Sequence, residues 1–121
     1  MKFDFSNDRP IYLQLVEQLE REIITGGFSP GDKLPSVRDL AAIAKVNPNT
    51  IQRALQELED KKLIITIRTN GKFVTDDIKY LHKLREKIVH AKIVHFFTEM
   101  DTLGFSRAEI LRILKHLKWK A

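Results

Sequence analysis

Three observations predict a mainly α (α+β) fold for this 121-residue chain. Residues 9–60 carry three segments with apolar side chains at helical spacing, each bounded by start or stop signals. Residues 63–75 hold two short β-prone runs around Asn70-Gly71, a strong hairpin signal. Residues 76–118 return to helical spacing, with apolar residues on more than one side. Three helices and a hairpin make a winged helix-turn-helix over residues 1–75. Residues 76–121 make a two-helix antiparallel tail.

Phe3–Asn7 reads as an extended arm. The first helix is expected from about Arg9 or Pro10 to Thr25, with Asp8 available as its cap and Pro10 in its first turn. Tyr12, Leu15, Val16, Leu19 and Ile23 give it one apolar face. Gly26 suits a left-handed C-cap, and a Pro30-Gly31 turn follows. The second helix spans about Ser36–Ala44, where Ser36 and Asp39 resemble a capping box and Val37, Leu40, Ala41 and Ala44 face inward. Lys45-Val46 is a turn. The third helix starts at Asn47 as cap and Pro48 as first residue, and buries Ile51, Ala54, Leu55 and Leu58. It ends near Asp60, so Lys62 falls where a positive φ is expected, at a cost of roughly 1 kcal/mol against glycine.

Leu63–Ile67 and Lys72–Thr75 are the hairpin strands. Asp76 or Asp77 caps a long helix to about Asp101, and Gly104 breaks it. Ser106 and Glu109 form a capping box for a last helix over Arg107–Lys118. The apolar residues of this tail include Leu81, Leu84, Ile88, Ile93, Phe96, Phe97, Met100, Ile110, Leu114 and Leu117. Two helices cannot cover them all, so a second copy of the chain is expected to, making residues 76–121 a dimerisation tail.

Composition narrows the function classes. Hydrophobic residues make up 43% and charged residues 31%, too apolar for disorder. No apolar run reaches membrane-spanning length, and the first residues lack the apolar core of a secretory signal. With no cysteine, disulfides and thiolate metal sites are excluded, which fits a reducing cytoplasm. The four histidines show no metal-ligand spacing, so neither metal nor cofactor is expected. No nucleophile–base pair or Gly-rich phosphate motif appears, so an enzyme is not expected. The net charge of +5 suggests a polyanionic partner, but residues 36–75 hold 7 Lys/Arg against 4 Asp/Glu and are only mildly basic.

The head of the third helix points more firmly to nucleic acid. Free N–H groups and the helix dipole at Asn47–Thr50 favour a phosphate. Gln52 can meet adenine with two hydrogen bonds, and Arg38 or Arg53 can meet guanine or clamp a phosphate. Ser36 can donate to a phosphate, and Arg68, Asn70, Gly71 and Lys72 are DNA-contact candidates on the wing. In the plainer reading Ser36 and Asn47 are caps, Arg38 is a solvated arginine, and the four wing residues only build the hairpin.

Leu34-Pro-Ser-Val-Arg-Asp-Leu-Ala, Val46-Asn-Pro-Asn-Thr-Ile-Gln-Arg-Ala-Leu and Asn70-Gly-Lys-Phe-Val occur in order, after Pro10-Ile-Tyr-Leu-Gln-Leu and Gly27-Phe-Ser-Pro-Gly-Asp-Lys-Leu-Pro-Ser. Over residues 9–75 the chain resembles the GntR family of bacterial transcription regulators, and its short tail resembles the YtrA-type subfamily. The resemblance implies a dimeric, cytoplasmic, nucleoid-associated repressor of double-stranded operator DNA, of a kind often encoded beside ABC transporter genes. It implies that Arg38 contacts DNA from the second helix, that Asn47, Pro48, Asn49, Thr50 and Gln52 head the recognition helix, and that Asn70-Gly71 reaches the minor groove. Pro48 and Gln52 stand where many relatives carry arginine, which leaves the bases read by this chain open, and Lys62 replaces a usual glycine. The tail is too short for a separate ligand domain, so an unidentified small-molecule effector is expected, if anywhere, between paired tails near Phe96, Phe97 and Trp119. The alternative reading is a winged-helix protein–protein interaction module.

Overall fold

Leu15, Leu19 and Ile23 meet Leu40, Ile51, Leu55 and Leu58 in a core that is closed from below by Leu63, Ile64 and Val74, all fully buried. These residues lie on α1 (Ile11–Ile24), α2 (Val37–Ala44), α3 (Pro48–Asp60), β1 (Ile64–Ile67) and β2 (Gly71–Val74), with Leu63 just ahead of β1. Two more helices, α4 (Ile78–Thr102) and α5 (Arg107–His116), complete the element order. The computed structural model describes residues 1–119; Lys120, with Lys115 and Lys118 a residue of the basic tail, lies outside them. Burying each large core side chain contributes about 1.5–3 kcal/mol. The Arg9–Glu17 pair is exposed and screened by solvent, so this core and not the surface ion pairs holds the three helices and the hairpin together.

The chain divides into two compact units, Met1–His82 and Lys83–Ala121. In the first, α3 packs against both α1 and α2. The strands β1 and β2 pair antiparallel with Ile64 opposite Val74 and Thr66 opposite Lys72. The segment before α2 docks on the free side of β2, through Gly31 N–H to Val74 O, Val74 N–H to Asp32 O and Leu34 N–H to Lys72 O, at 2.8–3.0 Å. The hairpin is thereby tied by main-chain bonds to the start of α2. The first turn of α4 belongs to this unit as well: Leu81 is buried and the Tyr80 hydroxyl donates to the Lys61 carbonyl.

Several local expectations are corrected. The first helix starts at Ile11, with Pro10 as its N-cap and no side-chain cap. Asp8 does not cap it, because its carboxylate accepts the Ser6 hydroxyl, and that bond holds its pKa below the usual aspartate value. The arm is held by glutamines. Gln14 is buried on α1 and bonds Ser6 and Arg9, and Gln18 bonds the main chain of Asp4 in both directions. Ser36 accepts from Asp39 N–H at 3.0 Å, but the reciprocal half of a capping box is not made. Aspartate is one methylene shorter than glutamate, and Ser106 with Glu109 makes both halves.

The hairpin loop also differs. Ile67 pairs with Gly71, leaving Arg68-Thr69-Asn70 as the loop. Asn70 N–H donates to Ile67 O, and the positive φ values fall on Thr69 (70°) and Gly71 (110°). The turn is therefore centred on Arg68-Thr69 and not on Asn70-Gly71. The expected positive φ at Lys62 is present, at 62°, and Lys45 has one as well, at 57°.

In the second unit, α4 ends at Thr102, Gly104 follows with a positive φ, and the Phe105 N–H returns to Met100 O. The Arg107 guanidinium lies over the Phe97 ring at 5.2 Å. The last helix stops at His116, two residues short of the expected end, because Leu117 is extended (φ −72°, ψ 131°). Leu81 and Ile110, expected at a dimer seam, are already covered within one chain. Leu84, Ile88, Phe97, Met100 and Leu114 are half-buried, whereas Val89, Ile93, Val94, Phe96, Leu111, Ile113 and Leu117 remain exposed. Among the described residues, no helix is long and apolar enough to cross a membrane.

Candidate nucleic-acid interface

The turn between α2 and α3 is set by two short-range devices. Lys45 takes the left-handed conformation that ends α2, and Val46 N–H donates back to Ala41 O at 3.1 Å. Asn47 then caps α3, its Oδ1 accepting Asn49 N–H at 2.8 Å, with Pro48 in the first turn where no N–H is needed. The buried stripe of α3 is Ile51, Ala54, Leu55 and Leu58. Its opposite face presents Asn49, Gln52, Arg53 and Gln56, all exposed, with Thr50 half-buried at the edge. Pro48 and Asn47 are exposed at the same end. The acidic residues of α3, Glu57, Glu59 and Asp60, all lie in its last turn. A phosphate backbone is thus compatible with the first half of the helix and repelled by the second.

A second set of residues meets across a groove of about 650 Å³ between the start of α2 and the hairpin. Ser36 lines one side; Arg68, Asn70, Gly71 and Lys72 line the other. Arg38 is exposed in the first turn of α2. The Ser36 oxygen is used as a cap acceptor, which leaves its O–H free to donate. The positive φ at Gly71 is one reason for glycine there. The other is Lys33, whose Cε would lie 3.1 Å from a Cβ at position 71.

Lys72 is placed differently from its neighbours. The register puts Thr66 and Lys72 on the same sheet face as Ile64 and Val74, the face turned to the core. The Lys72 ammonium donates to Thr66 Oγ1 at 2.7 Å and stands 3.8 Å from Glu59, while the Thr66 hydroxyl donates to Glu59. It links the hairpin to the end of α3. Arg53 is also held: its guanidinium lies over the Tyr12 ring, 3.6 Å from the centroid.

Sequence reading missed Lys33 and Gln56 as neighbours of these residues. Gln56 follows Gln52 by four residues and was legible from helical spacing. Lys33 was not, since only its bridge to Phe73 brings it across the hairpin.

A three-helix core, a hairpin docked beside its second helix and a polar, capped third helix define a winged helix-turn-helix DNA-binding protein. Residues 11–74 match the model of the bacterial regulatory proteins of the gntR family. The chain belongs to that family and is a transcriptional regulator with a DNA-binding helix-turn-helix. It is 36% identical over 115 residues to the HTH-type transcriptional regulator YhcF of Bacillus subtilis (strain 168), covering 95% of both chains. It is 40% identical over 79 residues to the HTH-type transcriptional repressor YtrA of the same organism, covering 65% of this chain and 61% of YtrA. A GntR family transcriptional regulator from Listeria monocytogenes, 40% identical, superposes with a TM-score of 0.87 over 94% of this chain and 100% of its own.

Proposed function

We propose that the chain is a homodimeric repressor that binds an inverted-repeat operator, one half-site per copy. The observation that carries the reading is the exposed stripe of Asn49, Gln52 and Arg53 on the capped half of α3. Gln52 offers the donor–acceptor pair that adenine requires, and Arg53 offers the paired donors that guanine or a phosphate accepts. Arg38 and the Ser36 hydroxyl contact the backbone beside it, and the loop Arg68–Asn70 with Gly71 enters the adjacent minor groove.

The exposed apolar residues of α4 and α5 support the second half of the reading, a twin chain seated on the tail. Repression is supported by the likeness to the repressor YtrA. Control of an ABC transporter operon is what the resemblance to the YtrA-type subfamily implies, and an effector would sit between the paired tails near Phe96, Phe97 and Trp119, where tryptophan emission reports on it. Selection from a random duplex pool, followed by footprinting on the enriched sequence, tests the core of the proposal. The expected product is an inverted repeat with two protected half-sites about one helical turn or more apart. A pool that stays unenriched, or a chain that sizes as a monomer on its DNA, overturns it.

A further inference from the structure

Arg53 is an exposed residue, yet its guanidinium does not float: it is stacked 3.6 Å above the centre of the Tyr12 ring. Tyr12 belongs to the first turn of α1 and Arg53 to the second turn of α3, so the contact joins two helices that share the core. Among the described residues, the ion pairs engage Arg9, Lys61, Lys72 and His95, and none engages Arg53. The distinction has chemical consequences. A carboxylate would take up the in-plane N–H donors of the guanidinium and neutralise its charge. An aromatic face holds the flat side instead, leaving the donor edge and the full positive charge available. It also restricts a long side chain whose freedom would otherwise be lost on binding.

We propose that Tyr12 is a positioning residue of the DNA interface, holding Arg53 so that its donor edge meets a paired acceptor on DNA. That acceptor is either two phosphate oxygens or O6 and N7 of a guanine, the two groups that match a guanidinium edge. The inference rests on the DNA-binding reading above. It adds that α1, a helix outside the helix-turn-helix, sets how firmly α3 binds.

The stack itself is read without DNA. Ring current shifts the Arg53 side-chain resonances upfield in the wild-type chain and in Tyr12→Phe, and the shift disappears in Tyr12→Leu. Binding is then measured on a duplex enriched by the wild-type chain from a random pool. Tyr12→Leu lowers affinity by roughly three- to tenfold, Tyr12→Phe restores it, and Tyr12→Leu adds nothing in an Arg53→Ala background. Arg53→Lys, which keeps the charge at an exposed position without the flat stack, loses about as much as Tyr12→Leu. A loss shared by all duplexes with a shallower salt dependence identifies phosphate; a loss confined to one base pair identifies guanine. Unchanged affinity in Tyr12→Leu, failure of Tyr12→Phe to restore it, or full additivity with Arg53→Ala overturns the proposal. A wild-type chain that enriches no duplex instead overturns the DNA reading beneath it, whatever the resonances show.

Discussion

Gln14 holds Ser6 from both sides: its Oε1 accepts the Ser6 N–H at 2.8 Å, and its Nε2 donates to the Ser6 carbonyl at 2.9 Å. The same amide nitrogen donates to the Arg9 carbonyl at 2.8 Å. One buried side chain thus stands in for the neighbouring strand that an extended arm would otherwise need. Gln14→Leu keeps the volume and removes every one of these bonds. It is expected to cost about 1–3 kcal/mol, because part-buried main-chain groups lose their partners. Urea unfolding gives the stability, and faster amide exchange at Ser6 shows that the arm is released; protection equal to wild type counts against the assignment.

The end of α3 closes as a Schellman motif on the wrong residue type. Lys62 N–H donates to Glu59 O and Leu63 N–H to Leu58 O, both at 2.9 Å, with Lys62 at φ 62°. The geometry suits glycine, whose missing Cβ removes the clash that burdens lysine. Lys62→Gly is therefore expected to stabilise the chain by about 1 kcal/mol, less the entropy that glycine adds to the unfolded state. Thermal unfolding decides the sign, and a lowered midpoint would refute the strain argument.

Much of this was legible in the sequence because it is written in local signals. Asn47-Pro48, Ser106 with Glu109, and Gly104 each act within one turn, and each stands where its residues placed it. Lys62 was legible as a strained position for the same reason. What was not legible depends on which of several available partners or registers a residue takes. Asp8 has the residue type to cap α1, but its carboxylate accepts the hydroxyl of Ser6 two residues before it. Asn70-Gly71 carries the usual hairpin signal, but the pairing of Ile67 with Gly71 shifts the turn by two residues. Within the candidate interface, the residue types on α3 could be read off, whereas the inward turn of Lys72 follows from strand register.

That register separates three basic residues that look alike in sequence. Arg38 and Arg68 are exposed, and Lys72 is occupied by Thr66 and Glu59. Arg38→Ala is expected to weaken binding to the selected duplex by about 1–3 kcal/mol with the dimer intact, and Arg68→Ala to lower the salt slope by about one. Lys72→Met is expected to leave the salt slope unchanged and to cost no more than about 1 kcal/mol of stability. Titration of affinity against salt checks all three. A reduced slope for Lys72→Met would mean that the ammonium leaves Glu59 for a phosphate.

The capping box of α5 makes its stability depend on acid. The Ser106 backbone N–H, and after it the Ser106 hydroxyl, hold the Glu109 carboxyl below the usual glutamate pKa. A carboxyl whose pKa is lowered by folding stabilises the fold above its unfolded value. That contribution is lost as pH falls through the lowered folded value. Loss of order in α5 is therefore expected to begin as pH falls through the ordinary glutamate range and to be complete below the lowered folded value, and Glu109→Gln removes that step. Amide exchange across residues 107–116 at stepped pH is the measurement. The same acid response in Glu109→Gln would assign it to another carboxylate.

Ile93 tests the tail. It is half exposed on the single chain, and Val89, Phe96 and Met100 stand four before, three after and seven after it, so one helix face carries all four. If a second copy covers that face, an aspartate at position 93 must either lose its water or keep the chains apart. Ile93→Asp is expected to weaken dimerisation by about 3 kcal/mol, roughly a hundredfold in dimer Kd. Lys92→Asp, one residue away at an exposed polar position, serves as the control for added negative charge. Sedimentation equilibrium reads the dimer Kd directly. Binding to a selected inverted repeat falls in parallel, because two linked recognition helices gain from their effective concentration and a single one does not. Equal Kd values for Ile93→Asp and Lys92→Asp would move the seam to another face of the tail.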